Sequence, residues 1–261
     1  MFELDGQQIV SWMNGVFWPM TRIAGMLLIA PIFSSKSIPI RMRILLVVIL
    51  TVVIVPMQPQ LAPIDPFSPV SILITLQQLL IGVAIGFSVQ LVFGALILAG
   101  QATAMGMGLG FASMVDPQNG VQVPVIGQYY VVIASLLFLG MNGHLAMIRL
   151  LNDSFEFLPV GTDALSRFNF ETIAYWGSRL FTHALQVALP TVIAILLVNL
   201  SFGVVSRTAP QLNIFGVGFP IVMMLGFLAI IFSIGGLAPK VTNMVNDSFT
   251  AITVLAEGKG R

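Results

Sequence analysis

A long stretch almost without charge constrains this chain more than any other feature. Between Arg43 and Arg149 only Asp65 and Asp116 are charged, and residues 66–115 carry no charge at all. A helix that crosses a membrane needs about 20 apolar residues, so this stretch is long enough for more than two crossings. Over the 261 residues, 57% are hydrophobic and only 8% are charged, against about 25% charged in soluble proteins. The sequence therefore predicts an all-α integral membrane protein.

Composition also excludes several classes of function. The formal net charge is +1 and no basic run is long enough to follow a phosphate backbone, which argues against nucleic acid. Cysteine is absent, so disulfides and thiolate metal sites are excluded. The two histidines have no metal-ligand spacing, and no nucleophile or phosphate-loop motif is present. We expect no cofactor, no metal and no enzymatic activity.

The apolar residues fall into segments that indicate helical hairpins. The second segment is short for a crossing, and residues 152–182 are the one sizeable polar region, with 170–182 predicted as an interfacial helix. The tail from Asp247 is predicted to be mobile. Lysine and arginine divide four against six between the two sides of a simple six-crossing topology, so the positive-inside rule does not decide. Broken or re-entrant hairpins and an ordinary serpentine both stay open. The six segments are 8–33, 44–57, 70–99, 124–151, 183–205 and 212–238.

Two kinds of residue within the segments predict close packing. Gly82 and Gly86 form a GxxxG pattern that Gly94 continues, and small residues at this spacing let helices approach closely in lipid. Arg22 lies among apolar residues of the first segment, and a buried arginine usually pairs or faces water. We predict an ion pair or an assembly contact for Arg22. The alternative is that the first segment lies partly outside the lipid.

The segment from Gly100 to Gly120 holds five glycines and three methionines between two apolar runs. Interior glycine disfavours helix by about 1 kcal/mol, and irregular backbone at membrane depth must be covered by protein or line a path. Methionine repacks easily, so the segment is a candidate gate, although ordinary core filling is the usual role of methionine. Asp116 and Pro117 together predict a turn. The gate candidates are Met105, Gly106, Met107, Gly110, Phe111, Met114, Val115, Asp116 and Pro117.

Short motifs lie along the whole chain, among them Gly110 to Pro117, Asn142-Gly143-His144 and Ser206 to Phe215. Together they resemble the FliR family of flagellar type III export-gate proteins. The most specific runs from Ser206 to Phe215, and Arg207 within it is a second candidate for an ion pair or an assembly contact. Relatives in virulence secretion systems share the architecture and remain an alternative. A proton-coupled transporter, with Asp116 and His144 as relay groups, is a weaker one. The other matching motifs are Arg22-Ile23-Ala24-Gly25, Ala30-Pro31-Ile32-Phe33, Ile38-Pro39-Ile40-Arg41, Gly82-x-x-x-Gly86, Gly110 to Pro117, Asn142-Gly143-His144 and Gly218-Phe219-Pro220.

The resemblance implies a role, partners and a location. Proteins of this family assemble with FliP and FliQ, and FlhB associates with them, in a closed helical export channel. The channel lies in the bacterial inner membrane at the flagellar basal body and passes unfolded flagellar proteins. The resemblance implies one membrane domain over 1–261, with 1–123 similar to FliP and 124–261 similar to FliQ. It places a loop that plugs the closed channel at about 106–120. Membrane lipid is a further expected contact.

Overall fold

All regular secondary structure in the described part of the chain is helical. The structure is a computed structural model that describes residues 6–35, 37–58, 64–65, 67–110, 125–161, 170–208 and 214–257. The predicted all-α fold is confirmed, and a 3-10 turn over Val55–Met57 continues the second helix. The helices are α1 (Gly6–Ile29), α2 (Ile40–Ile54), α3 (Pro69–Gly106), α4 (Val125–Gly140), α5 (Gly143–Phe157), α6 (Phe170–Thr208), α7 (Ile214–Ile234) and α8 (Leu237–Glu257).

Three helical stretches are long and apolar enough to cross a membrane by themselves: Ile40–Met57, Pro69–Gly106 and Tyr175–Thr208. Two helix pairs, α4 with α5 and α7 with α8, reach the same threshold together but bend by more than 40° at a short break. The membrane class is therefore confirmed. Of the two topologies left open, broken segments describe the helices better than six simple crossings.

Several boundaries differ from the sequence prediction. α6 has 39 residues, about 58 Å at 1.5 Å per residue, so it includes both the predicted interfacial helix and the fifth segment. α8 continues to Glu257, so the prediction of a mobile tail from Asp247 is wrong up to that residue. The first segment forms α1, which is not among the candidate spans. The fourth segment breaks at Asn142, which adopts a left-handed φ of 58°.

The chain divides into two compact units. The first, unit 1, contains Met1–Leu91, Asn142–Trp176 and Asn246–Arg261, and the second, unit 2, contains Val92–Met141 and Gly177–Val245. Each unit takes residues from both predicted parts, 1–123 and 124–261. That division into two family-like parts stays a prediction.

In unit 1, α1 and α3 cross at unusually short distance. A Cβ added to Gly82 would lie 2.0 Å from the carbonyl oxygen of Arg22, and one added to Gly86 would lie 2.6 Å from that of Met26. Gly25 of α1 makes the reciprocal contact, with its Cβ position 2.7 Å from the carbonyl oxygen of Leu79. Backbone meets backbone at this crossing, so only glycine fits there.

In unit 2, the second half of α3 packs on α4 in the same manner. A Cβ on Gly100 would lie 2.3 Å from the Cα of Gly127, so α3 stays helical through Gly100 because this residue is a packing contact. About two turns before Gly100, Phe93 of α3 meets Phe138 of α4 edge to face, with ring centroids 6.1 Å apart. Gly94 has more room, because its Cβ position meets only the end of the Leu180 side chain, at 3.2 Å.

Candidate functional site

The Gly/Met segment begins with a regular helix cap. The amide of Gly108 donates to the carbonyl of Met105 at 3.0 Å, and the amide of Leu109 donates to that of Ala104 at 2.9 Å. Gly108 has a φ of +80°. This is the Schellman arrangement, in which a left-handed glycine satisfies the last carbonyls of a helix. The predicted irregular backbone therefore starts at Met107, after the end of α3, and not at Gly100.

Two contacts fix this cap to α7, and in each of them a large side chain of one helix packs on a glycine of the other. A Cβ on Gly108 would lie 2.7 Å from Cε2 of the Phe219 ring, so the ring packs on the bare glycine. A Cβ on Gly226 would lie 2.6 Å from Cγ of Met107, so this methionine packs on a bare glycine of α7. Phe219 and Gly226 are seven residues apart and share one face of α7. Each large side chain thus occupies the space that a glycine leaves free on the other helix. We name Met107, Gly108, Phe219 and Gly226 the α3 anchor.

Met107, a predicted sealing side chain, is buried in this structure, and its role in the seal stays a prediction. It is 0% exposed and its thioether lies against Gly226, so it packs the end of α3 against α7. Met105, in the last turn of α3, is 65% exposed and remains available as a sealing residue. Gly106 contacts Ile195 of α6, and Gly110 lies over the side chain of Met105. The other gate candidates, Phe111, Met114, Val115, Asp116 and Pro117, lie outside the described residues.

Arg22 is the second functional candidate, and unit 1 buries it completely. Its Nε donates to Oε1 of Gln78 at 2.8 Å, which ties α1 to α3. One terminal nitrogen donates to the carbonyl and the hydroxyl of Ser154, and the other to the carbonyl of Leu158 at 2.7 Å. The guanidinium carbon also lies 4.1 Å from the centroid of the Phe155 ring. The C-terminal end of α5 thus receives a cation.

Electrostatics explain why this site needs no carboxylate. The last carbonyls of a helix carry a partial negative charge, which stabilises a cation placed there, and the ring face adds a cation–π contact. Burial lowers the pKa of Arg22 from its usual value to about 9, which is still above neutral pH. Among the described residues, all four hydrogen bonds of Arg22 end on uncharged groups within the chain. The predicted ion pair or assembly contact of Arg22 stays a prediction.

Arg207 has a different setting. It lies in the last turn of α6 and is exposed, so it is free to meet a lipid headgroup or another subunit, and its predicted role as an assembly contact stays a prediction. Unit 1 carries an open apolar groove of about 640 Å³ between α1 and the start of α3, lined by Trp12, Phe17, Phe67 and Leu76 among others. Exposed apolar surface of this kind needs cover from lipid or protein.

The described ranges contain no group of three acidic or histidine side chains placed to hold a metal ion.

Sequence reasoning missed the residues that surround these sites. Phe219 stands in a motif that the family resemblance used, but nothing local indicated that its ring would lie on Gly108. The signal available was the seven-residue spacing of Phe219, Gly226 and Ser233, which places all three on one helical face. Gln78 and Ser154 gave no signal, because a neutral partner for Arg22 looks like any other polar residue.

Comparison with known proteins assigns the chain to a family. The family described as Bacterial export proteins, family 1, matches residues 13–248. The flagellar biosynthetic protein FliR of Escherichia coli K12 is 36% identical over 97% of this chain and 96% of its own length. FliR of Pectobacterium carotovorum is 37% identical over 97% of this chain and 95% of its own length. FliR of Bacillus subtilis is 31% identical over 80% of this chain and 82% of its own length. The chain therefore belongs to family 1 of the bacterial export proteins, the family of FliR.

Proposed function

We propose that this protein is a core subunit of the flagellar protein-export gate in the bacterial inner membrane, at the basal body. In this proposal it forms, with FliP and FliQ and with FlhB attached, the channel through which unfolded flagellar proteins leave the cytoplasm. The observation that carries the proposal is similarity over nearly the whole chain to proteins named for flagellar biosynthesis. Those names favour the flagellar system over a virulence secretion system. Helices long and apolar enough to cross a membrane support a membrane location.

The loop that follows α3 is the proposed plug. The α3 anchor supports this role, because Met107 is buried and Gly108 is seated on Phe219, which fixes the point from which the loop departs. A plug has to return to one position after each substrate passes, and a fixed base makes that return reproducible. Met105 is exposed beside the anchor, and we propose that it forms the seal together with Phe111, Met114 and Val115. Asp116 and Pro117 set the turn in this proposal.

Copurification tests the subunit assignment. The full-length protein, carrying an affinity tag and expressed from its own locus, should retain FliP and FliQ in mild detergent. If the protein restores motility to a strain that lacks FliR but never copurifies with FliP or FliQ, the proposed assembly is wrong.

A leak assay tests the plug separately. Deleting 111–120 keeps the anchor intact and should let small ions or dyes cross the membrane of cells that still assemble the gate. Met105→Gly should also increase the leak. Met224→Gly should not, because Met224 is equally exposed at 66% but belongs to α7 and is not part of the proposed seal. Both substitutions carry the same glycine penalty of about 1 kcal/mol in a helix. If the deletion variant assembles and stays as tight as wild type, the plug is wrong while the subunit assignment stands.

A further inference from the structure

Four helices of unit 2 contribute hydroxyl groups to one buried cluster. The hydroxyl of Tyr130, on α4, lies within hydrogen-bonding reach of the side chains of Thr103 on α3, Thr191 on α6 and Ser233 on α7. The hydroxyl oxygens of Thr191 and Ser233 are 3.5 Å apart. Tyr130 is 2% exposed, and Thr103 and Thr191 are fully buried. We name these four residues the hydroxyl cluster.

The three partner hydroxyls already donate elsewhere: Thr103 to the carbonyl of Ala99, Ser233 to that of Ile230 and Thr191 to the hydroxyl of Ser233. A phenol hydroxyl has one proton to donate, so Tyr130 supplies the remaining donor of the cluster. Its three possible acceptors lie on three different helices. In apolar surroundings a hydroxyl that loses its partner pays the full desolvation penalty. Separation of these helices is therefore penalised at this point.

The helices that carry the partners of Tyr130, namely α3, α6 and α7, also meet at the end of α3. The carbonyl of Thr103 accepts the amide of Met107 at 3.0 Å. Ser233 continues the face of α7 that carries Phe219 and Gly226, at seven-residue spacing. Thr191 lies one turn before Ile195, the residue that contacts Gly106. Every partner of Tyr130 is thus one or two turns along its own helix from a contact with residues 106–108.

We propose that Tyr130 is a positioning residue of the gate. Its hydroxyl holds α3, α6 and α7 together below the α3 anchor and keeps Met107 and Gly108 seated. Loss of this hydroxyl frees the anchor to open without unfolding the rest of the unit. The inference rests on the proposed gate function for its meaning, although the positioning itself is a property of this chain alone.

Cysteine labelling measures the opening of the anchor. The chain has no cysteine, so Met107→Cys places a single thiol at the buried anchor, and its reaction with a membrane-permeant maleimide reports how often the anchor opens. In membranes that hold the assembled gate, Tyr130→Phe should accelerate labelling of this cysteine by about tenfold, which is the effect of one lost buried hydrogen bond. Tyr129→Phe is the matched control, because Tyr129 is the neighbouring residue, is 43% exposed and lies outside the cluster. It should leave the rate unchanged.

A second reporter separates local opening from general loosening. Met244 is buried in α8 of the same unit, and labelling of Met244→Cys should not change with Tyr130→Phe. Thr191→Val, which removes a hydroxyl at constant shape, should act like Tyr130→Phe, whereas Thr191→Ser keeps the hydroxyl and should restore slow labelling. An unchanged rate at position 107, or equal acceleration at 107 and 244, overturns the proposal. The labelling experiment does not depend on export. A deletion variant that shows no leak would therefore refute the plug, and the role of Tyr130 would still be decided by the labelling rates alone.

Discussion

The crossing of α1 and α3 predicts a large effect from one methyl group. In Gly82→Ala, the new Cβ would lie 2.0 Å from the carbonyl oxygen of Arg22, 2.9 Å from its carbonyl carbon and 3.0 Å from the amide nitrogen of Met26. All three atoms belong to the backbone, so no side-chain rotation relieves the contact. An ordinary contact begins near 3.4 Å, and the two helices must therefore separate by about 1 Å or more.

The cost follows from two terms. Overpacking of a close contact costs about 1–3 kcal/mol. Movement of the Arg22 backbone also strains the hydrogen bonds that its guanidinium donates, which are 2.7–3.0 Å long. A hydrogen bond to a charged group contributes about 1.5–3 kcal/mol. The two terms add to about 4 kcal/mol, and the preference of alanine for helix offsets about 1 kcal/mol of this, which leaves a net cost of about 3 kcal/mol. For a chain of this size each kcal/mol shifts Tm by about 2–4 °C, so Gly82→Ala should lower Tm by about 6–12 °C.

Thermal unfolding of the purified protein in detergent, followed by tryptophan fluorescence, measures this shift. Trp18 is buried in α1 and its indole nitrogen donates to the hydroxyl of Thr75 at 3.3 Å, so it reports separation of α1 from α3. Gly177→Ala is the control, because its Cβ position has nothing within 4 Å and alanine favours helix by about 1 kcal/mol. It should raise Tm by about 2–4 °C. A Gly82→Ala protein that melts within 2 °C of wild type, beside a stabilised control, would refute the close crossing.

Two further predictions concern the arginine and the cap. Arg22→Met should lower stability by about 2–4 kcal/mol, because the carbonyls of Ser154 and Leu158 lose their donors; thermal melts of this variant, of Gln78→Leu and of the double variant should show a coupling of about 1–3 kcal/mol, and simple additivity would contradict the shared site. Gly108→Ala should destabilise the cap by about 1–2 kcal/mol for the left-handed φ alone and should accelerate maleimide labelling of Met107→Cys. Phe219→Leu in that background should recover only the part due to the ring contact, so complete recovery would show that the φ of Gly108 is not constrained.

Hydropathy predicted the long helices well, whereas the residues typical of turns predicted the ends of the helices less well. The uncharged run predicted a span that α3 provides, because membrane insertion depends on summed apolar area over about 20 residues. The prediction of a fourth continuous segment failed at Asn142, where a left-handed residue permits a sharp break that hydropathy does not detect. The tail from Asp247 has polar residues and was predicted as mobile, but Ser248, Ala251 and Ile252 are buried. A helix with one apolar face is stabilised by packing that its composition alone does not reveal.

The sequence predicted where the sites of Arg22 and of the close helix contact lie, but it did not predict which residues they contact. Membrane physics indicated that Arg22 must have partners, but an acidic residue was expected, and its partners are neutral groups 132 and 136 residues away in sequence. Likewise, a GxxxG pattern predicts a close helix contact without naming the partner helix. Such partners depend on tertiary arrangement, which a single sequence does not contain.

Glycine has two opposite effects in the segment that first marked this chain as a gate. Its composition predicted backbone freedom throughout, yet Gly100 packs on Gly127 and Gly108 packs on Phe219, so these glycines hold helices together. Close packing removes the freedom that an isolated glycine has. If the proposed plug moves, its fixed end is therefore Gly108, and the change in conformation begins beyond it. The hydroxyl cluster lies on the fixed side of that point, which is why loss of one hydroxyl there should affect closure and leave the moving loop itself unaltered.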